Sequence, residues 1–474
     1  MSKFNINKSH NLQVPCGSCS LSYCWISMQS LHFPCLPRIV LPPDGWYYRG
    51  EGNANLVISL VSSRSVLRFR KSKYYDKDHD SDTLEIIQYV NKIMRPLLGE
   101  QFVRSLYVAY LSTEDVEEVK TRIQPFRPLK RIKKDVKGTI VIVSPDCTYL
   151  TPEYERNTIG DTLSVEIKPK EGWHSTKLFY SSDLCHRCLK YHAKTNKNEI
   201  SNISPYCPLD LFSGIPSRSK RALYDLYDYS HGRFKVFKNG KVLYNEESKS
   251  PEIMEEELKD FFGHERSEKD VRNYLCSLLI SSLLGFDSCD EFINLIPWER
   301  SHKLKCDDSH VPLPEGSVLN ALLSIQKYPI LSDRKAKYIS DKFLCTTDDL
   351  DEMNKFVHLF NPERYRYVPK TGFVHDVEQL QKYLMSITAR DVSIFLTFRK
   401  IKDMDEETQF QEMTASSSLC NCKRPPYSTI IHLKDQTYRV MISVIDLDPK
   451  PIHRISKWVQ DKEEWIKSVE SSQS

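Results

Sequence analysis

Two neighbouring stretches, WYYRGEGNANLVISLV (46–61) and SRSVLRFRKSK (63–73), constrain the fold more than any other part of the chain. Aromatic and β-branched residues flank a loop bearing two glycines, a pattern that predicts strand, glycine loop, strand, turn and strand. Apolar residues at helical spacing follow in SDTLEIIQYVNKIMRPLLG. GTIVIVSPD (138–146) predicts a short buried strand ending in a Pro-Asp turn, and DTLSVEIKPK another strand. Helical patterns then dominate in SDLCHRCLKYHAK, SKRALYDLYDYS, SPEIMEEELKDFF and EKDVRNYLCSLLISSLLG, before DVSIFLTFRK and YRVMISVIDLDPKP return to strand. A small β-rich part followed by a larger helix-rich part predicts an α+β, two-lobed architecture. Residues 1–43 read as a disordered extension, 44–147 as the first lobe and 148–474 as the second.

Composition narrows the function classes. With 474 residues, 40% hydrophobic and 27% charged, the chain reads as an ordinary globular protein. A net charge of +4 falls short of a dedicated nucleic-acid binder. YLCSLLISSLLGF (274–286), the longest apolar stretch, is too short and too serine-rich to cross a bilayer and suits a buried helix. The N-terminus has no continuous apolar core of the kind a signal peptide needs. The 14 cysteines are scattered, so they read as reduced thiols, some of them metal ligands, in an intracellular protein of the cytoplasm or nucleus.

The chemistry-bearing residues lie in separate stretches. Gly50 and Gly52 sit in a hairpin loop, where glycines let backbone amides approach phosphate closely. The loop lacks the third glycine of a dinucleotide fingerprint and the Gly-Lys-Ser/Thr ending of a P-loop. A glycine loop within a hairpin is how protein kinases cover ATP, with Arg68 placed where they carry a lysine; the H-R-D and D-F-G signatures are missing. Glu166, Lys168 and Lys170 alternate around Pro169, so an extended backbone places all three on one face, the lysine Cα atoms about 6.6 Å apart. Such a row suits a rigid ligand carrying several phosphates; an edge strand guarded by lysines has the same pattern.

In CHRCLKYHAK, Cys185, Cys188 and His192 fall along one helical stripe, and His186, Lys190 and Lys194 along another. The first stripe, with Cys207, gives a Cys3His set for structural Zn²⁺; buried thiols on a core face are the alternative. Arg127, in the basic run 122–137 and restricted by Pro128, fits a fixed phosphate contact. Asp391 opens a strand, and Asp446 and Asp448 share a face with Lys450. Phosphoryl transfer needs one acidic group at the attacking hydroxyl and another to hold Mg²⁺.

The pieces together resemble the inositol-pentakisphosphate 2-kinase family. The matching stretches are YRGEGNANLV (48–57), VLRFRK (66–71), RPLLGEQFV (95–103), VEIKPK (165–170), YCPLDLFSG (206–214), FKVFKNG (234–240), TARDVSI (388–394) and VIDLDPKP (444–451). The resemblance implies ATP- and Mg²⁺-dependent phosphorylation of the 2-hydroxyl of inositol 1,3,4,5,6-pentakisphosphate by a monomer. By the same resemblance Arg49, Gly50, Glu51, Gly52, Asn55 and Arg68 meet the nucleotide phosphates, Asp146 and Cys147 flank adenine, and Glu166 faces the nucleotide. Asp391 acts on the hydroxyl, with Lys168 beside it, and Asp446 holds Mg²⁺. Lys73, Arg127, Lys168, Lys170, His186, Lys190, Lys194, Lys450 and Arg454 hold substrate phosphates. The chain departs from the family pattern at His186, Lys190, Lys73, Trp458 and the pair Gly232 and Arg233. A non-catalytic inositol-phosphate scaffold and an RNA-associated protein are the competing readings.

Overall fold

In the computed structural model the described residues are 36–72, 80–200, 203–245, 251–263, 267–299, 305–328, 331–344, 354–355, 357–359, 371–402 and 428–473. They form two antiparallel sheets with helices packed around them, an α+β fold. The first sheet comprises β1 (Trp46–Glu51), β2 (Asn55–Leu60), β3 (Ser65–Ser72), β4 (Tyr107–Tyr110), β5 (Asp135–Val136) and β6 (Ile140–Pro145). Their spatial order is β1-β2-β3-β6-β4, with β5 paired to the end of β3. Strand alternation divides β3 sharply: Leu67, Phe69 and Lys71 turn inward, while Arg68 and Arg70 share the opposite face. Leu67 and Phe69 join Leu56, Ile58, Ala109, Val119 and Val141 in a small apolar core.

The second sheet comprises β7 (Thr158–Ile167), β8 (Phe234–Lys238), β9 (Lys241–Tyr244), β10 (Ser393–Ile401), β11 (Ser428–Leu433) and β12 (Gln436–Ile445), in the order β11-β12-β10-β7-β8-β9. The central β10 has six consecutive buried residues, SIFLTF, because it is covered on both faces. Helix Glu268–Leu284 begins with a Ser267–Asp270 capping box and stops at Gly285 in the left-handed conformation. Every residue from Tyr274 to Leu284 is buried, as the apolar run at 274–286 suggests. No helix among the described residues is long and apolar enough to cross a membrane.

Three features differ from the sequence expectation. Residues 37–41 are part of the folded body: Tyr110 donates to the Pro37 carbonyl at 3.0 Å, Ile39 donates to the Tyr110 carbonyl at 3.0 Å, and Leu41 is buried. A short apolar run between prolines is enough to close the edge of β4; residues 1–35 lie outside the described residues. The cores also do not divide at residue 147. Tyr89, Val90, Met94, Phe102, Val103 and Ile142 belong to the larger core, with β7, β10 and β12. The helix expected over SDTLEIIQYVNKIMRPLLG carries a π-helical turn at Val90–Met94, immediately before Pro96. Proline lacks an N–H and clashes with the carbonyl four residues back, so the helix widens there.

A buried ion pair fastens the C-terminal helix Ile455–Gln473. The Lys462 ammonium donates to Asp333, which also accepts from the Tyr383 hydroxyl at 2.9 Å and the Tyr180 hydroxyl at 3.2 Å. Burial alone raises a carboxyl, but the ammonium beside Asp333 outweighs it and pulls it down to about 2. The pair therefore contributes stability fully above pH ~4 and loses it as pH falls toward ~2. In urea unfolding the wild type should lose stability steeply between about pH 4 and 2, and Asp333→Asn should flatten that limb. An unchanged slope in the variant would contradict the assignment.

Candidate active site

Strand register builds the site. β10 pairs with β7 through Ile394 opposite Ile167, and with β12 through Ser393 opposite Ile445. The end of β7, the start of β10 and the end of β12 thus meet at one edge of the sheet. That edge gathers Glu166, Ser393, Asp446 and, from β8 opposite Glu166, Lys235. The buried Ser393 hydroxyl lies 2.8 Å from Glu166 Oε1 and 3.1 Å from Asp446 Oδ2, able to donate to either carboxylate. Lys168 Nζ donates to Asp446 at 2.8 Å and lies 3.8 Å from Glu166, and Lys235 lies 3.4 Å from the other Glu166 oxygen. Burial disfavours charge on Lys168, but Asp446 and Glu166 outweigh it and raise its pKa.

The predicted row of Glu166, Lys168 and Lys170 breaks after Pro169. β7 ends at Ile167, and Lys170 has φ +64°, a left-handed conformation uncommon outside glycine. The turn sends the two lysines to different carboxylates. Lys170 Nζ donates to Asp391 Oδ1 at 2.7 Å, and Lys450 Nζ donates to Oδ2 at 3.0 Å. Asp391 occupies the turn between helix Thr371–Ala389 and β10, its amide donating to the Thr388 carbonyl at 3.0 Å. Burial would raise its carboxyl, but the two ammonium groups hold it far below the usual carboxylate range. Asp446 also has a positive φ, +65°, so two residues of one site hold strained backbone.

Helix His186–Asn196 brings Lys190 of its basic stripe toward the same place. Burial lowers the Lys190 pKa, and Lys194 and Lys170 lower it further, which puts Lys190 within electrostatic reach of the lysines at Asp391. Lys190 lies over the Trp465 ring at 5.2 Å, and Lys194 pairs with Glu199 at 2.9 Å. His186 points elsewhere, 3.8 Å from buried Glu171 and edge-on to Trp465, and burial pushes it down to about 3. Arg454 is exposed on the turn after Lys450 and has no ion pair among the described residues. Lys73 lies outside the described residues.

The first sheet supplies the opposite wall. Gly50 has φ +149°, and a Cβ at Gly50 or Gly52 would meet no protein atom within 4 Å, so the outer face of the loop is open. Arg68 and Arg70 reach Asp448 at 2.7 Å and 3.6 Å, and Asn55 donates to it at 3.0 Å. Asp448, raised by burial but lowered more by Arg68 and Arg70, thus joins the glycine hairpin to the segment after β12. Arg49 sits at a β-bulge, its guanidinium 4.7 Å from the Phe237 ring centre and 3.5 Å from Asp146. Asp146 is buried, accepting from Ser59 at 3.2 Å and the Thr148 hydroxyl at 2.6 Å; the Cys147 carbonyl accepts from Thr397 at 2.6 Å. In this arrangement Arg49 and Asp146 brace the connection after β6 instead of presenting free side chains.

Two expected ligand contacts are turned inward. Glu51 and Arg127 form a bidentate pair at 2.8 Å and 3.1 Å, with Lys71 donating to the same carboxylate. Arg127 also donates to Asp135 at 2.8 Å, and its side chain is 2% exposed. Glu51 therefore has no carboxylate oxygen facing a nucleotide, and Arg127 no free edge for a substrate phosphate. Basic character alone suggested an outward role; the matching acid 76 residues away in sequence was invisible locally.

The cysteine cluster differs from its predicted composition. Cys185, Cys188, Cys207 and Cys306 are all buried, their sulfurs within 4.8 Å of one another. Cys306 takes the fourth corner and His192 is outside the group. The Cys185–Cys207 and Cys207–Cys306 sulfur separations are both 3.8 Å. Four thiolates at about 2.3 Å from a tetrahedral Zn²⁺ stand about 3.8 Å apart, so this set could hold the ion. Cys306 gave no spacing signal, since nearly a hundred residues separate it from Cys207.

A glycine hairpin set beside paired carboxylates and clustered ammonium groups defines a phosphotransferase site. The family model for inositol-pentakisphosphate 2-kinase matches residues 48–464, and the chain belongs to that family. Similar proteins bearing that name occur in Danio rerio, 27% identical with 87% of this chain and 90% of the relative covered, and in Arabidopsis thaliana, 26% identical with the same coverage. A third, from Cryptococcus neoformans, is 23% identical over 90% of this chain and 94% of its own length.

Removing one member of a buried ion pair costs about 3–5 kcal/mol because the partner is left uncompensated. Glu51→Gln, which removes the charge shared by Lys71 and Arg127, should lower the thermal and urea midpoints clearly. A midpoint within experimental error of the wild type would show that the three groups are not a stabilising unit.

Proposed function

We propose that the chain transfers the terminal phosphoryl group of ATP to the 2-hydroxyl of inositol 1,3,4,5,6-pentakisphosphate, giving inositol hexakisphosphate. The observation that carries this reading is Asp391 held ionised between Lys170 and Lys450, at the same sheet edge as Lys168, Glu166 and Asp446. The working enzyme has two lobes joined after β6, with the glycine hairpin above the nucleotide. The seven described cysteines are free, in keeping with a cytoplasmic or nuclear setting.

Substrate phosphates compete with Asp391 for its two ammonium groups. As Lys170 and Lys450 turn to phosphate, Asp391 loses the partners that depress its pKa and becomes a better proton acceptor. It takes the proton of the 2-hydroxyl, whose oxygen bonds to the terminal phosphorus while the bond to ADP breaks. Lys190, Lys194, Arg454 and Lys73 are further candidates for phosphate contacts. Asp446, Glu166 and the Ser393 hydroxyl present the oxygen donors that Mg²⁺ takes, and Mg²⁺ supplies charge neutralisation at the terminal ATP phosphates. Arg68 exchanges Asp448 for nucleotide phosphate. The four cysteines hold a structural Zn²⁺, tying helix His186–Asn196 to the segment around Cys306.

A positioned base contributes about 10²–10⁴-fold. Asp391→Asn should therefore lower turnover by about that factor. Calorimetry should find inositol-pentakisphosphate affinity unchanged or tighter, since two ammonium groups are released; a parallel loss of affinity would sink the assigned role. Wild-type protein that binds the inositol phosphate but neither binds nor turns over ATP would favour the scaffold reading. Metal analysis should give about one zinc per chain. Cys306→Ser should lose that zinc and His192→Ala keep it; the opposite pattern would restore the Cys3His set.

A further inference from the structure

We propose that Gln326, wholly buried at the end of helix Val318–Gln326, is a positioning residue that fixes Lys170 and Asp391 relative to each other. Its amide nitrogen donates to the Lys170 carbonyl and to the Ala389 carbonyl, each at 3.0 Å. Its amide oxygen accepts from the Gly172 N–H at 2.7 Å. Two carbonyls on one side and one N–H on the other settle the orientation of the amide. The Gln326 main-chain carbonyl accepts from the Trp173 indole at 3.1 Å and from Arg390 at 3.3 Å. One residue thereby joins the turn 170–173 after β7 to the segment 389–390 before β10.

The arrangement has a mechanical purpose. Lys170 is held at φ +64°, a conformation that costs about 1–2 kcal/mol for a side-chain-bearing residue and persists only when neighbours enforce it. Gln326 grips the carbonyl of that very residue. Gly172 is fixed from the other side: a Cβ there would stand 2.2 Å from the Phe212 ring. Asp391 follows the gripped Ala389 by two residues, and its own amide is tied to Thr388. The Lys170–Asp391 pair is thus referenced to one buried amide, whereas the described hydrogen bonds of Gln326 include none to the glycine hairpin.

The kinetic part of the test rests on the kinase reading; the structural part does not. Gln326→Met keeps length and apolar volume but removes all three amide bonds. A misplacement on the order of 1 Å costs about a hundredfold. The folded variant should therefore lose about ten- to a hundredfold in kcat and bind inositol pentakisphosphate more weakly, with KM for ATP changed less than about twofold. Gly172→Ala should give the same split, and Ser324→Ala, exposed on the same helix, should behave as wild type. Peptide-level hydrogen exchange should quicken at 170–173 and 389–392 in Gln326→Met and stay unchanged in β2 and β3. Unchanged exchange in both segments would overturn the proposal whatever the substrate is. So would equal losses toward ATP and the inositol phosphate, the signature of a residue that merely fills the core.

Discussion

Everything at the reaction edge depends on the pairing of β10 with its two neighbours. Because side chains alternate, a one-residue slip of β7 against β10 would turn Glu166 away from Ser393. Six buried residues in a row along β10 make such a slip costly, since each buried aliphatic or aromatic side chain contributes about 1.5–3 kcal/mol. The apolar interior of the second sheet therefore sets the spacing of the carboxylates at its end. Core and chemistry are continuous along the same three strands.

Charge governs what happens at that edge. The site concentrates lysines around three carboxylates, and without a polyanion those lysines take the carboxylates as partners. One ammonium–carboxylate pair at 4 Å is worth about 4 kcal/mol near a protein surface, against about 1 in water. The same attraction that keeps Asp391 ionised in the free protein makes it a weak base there. On the proposed reading, a ligand rich in phosphate draws Lys170 and Lys450 away and leaves Asp391 a better base. Asp448 repeats the pattern beside the glycine hairpin, occupying Arg68 and Arg70.

The sequence revealed whatever is local. Strand-like β7, β10 and β12, the buried helix Glu268–Leu284 and the acidic pair Asp391 and Asp446 were legible from alternation, apolar runs and turn residues. What stayed hidden depends on contacts made across long stretches of chain: Cys306, Ser393, Lys235, Gln326, and the use of Asp448 as a partner for Arg68. Alternation also misled where it was extended beyond Pro169, since Lys170 leaves the strand conformation. Charged residues misled in another way. Glu51 was expected at the nucleotide phosphates and Arg127 at a substrate phosphate, yet they pair with each other inside the first sheet together with Lys71.

The left-handed backbone at Lys170 and Asp446 sets the chain's needs against each other. Glycine would relax either position, and in each case it would erase the charge that the position exists to present. Selection for backbone ease alone would drift toward glycine there, at the expense of the ion pairs to Asp391 and Lys168. Ancestral or consensus redesigns of such a chain are best left untouched at these two residues, where conformational tension and usefulness coincide.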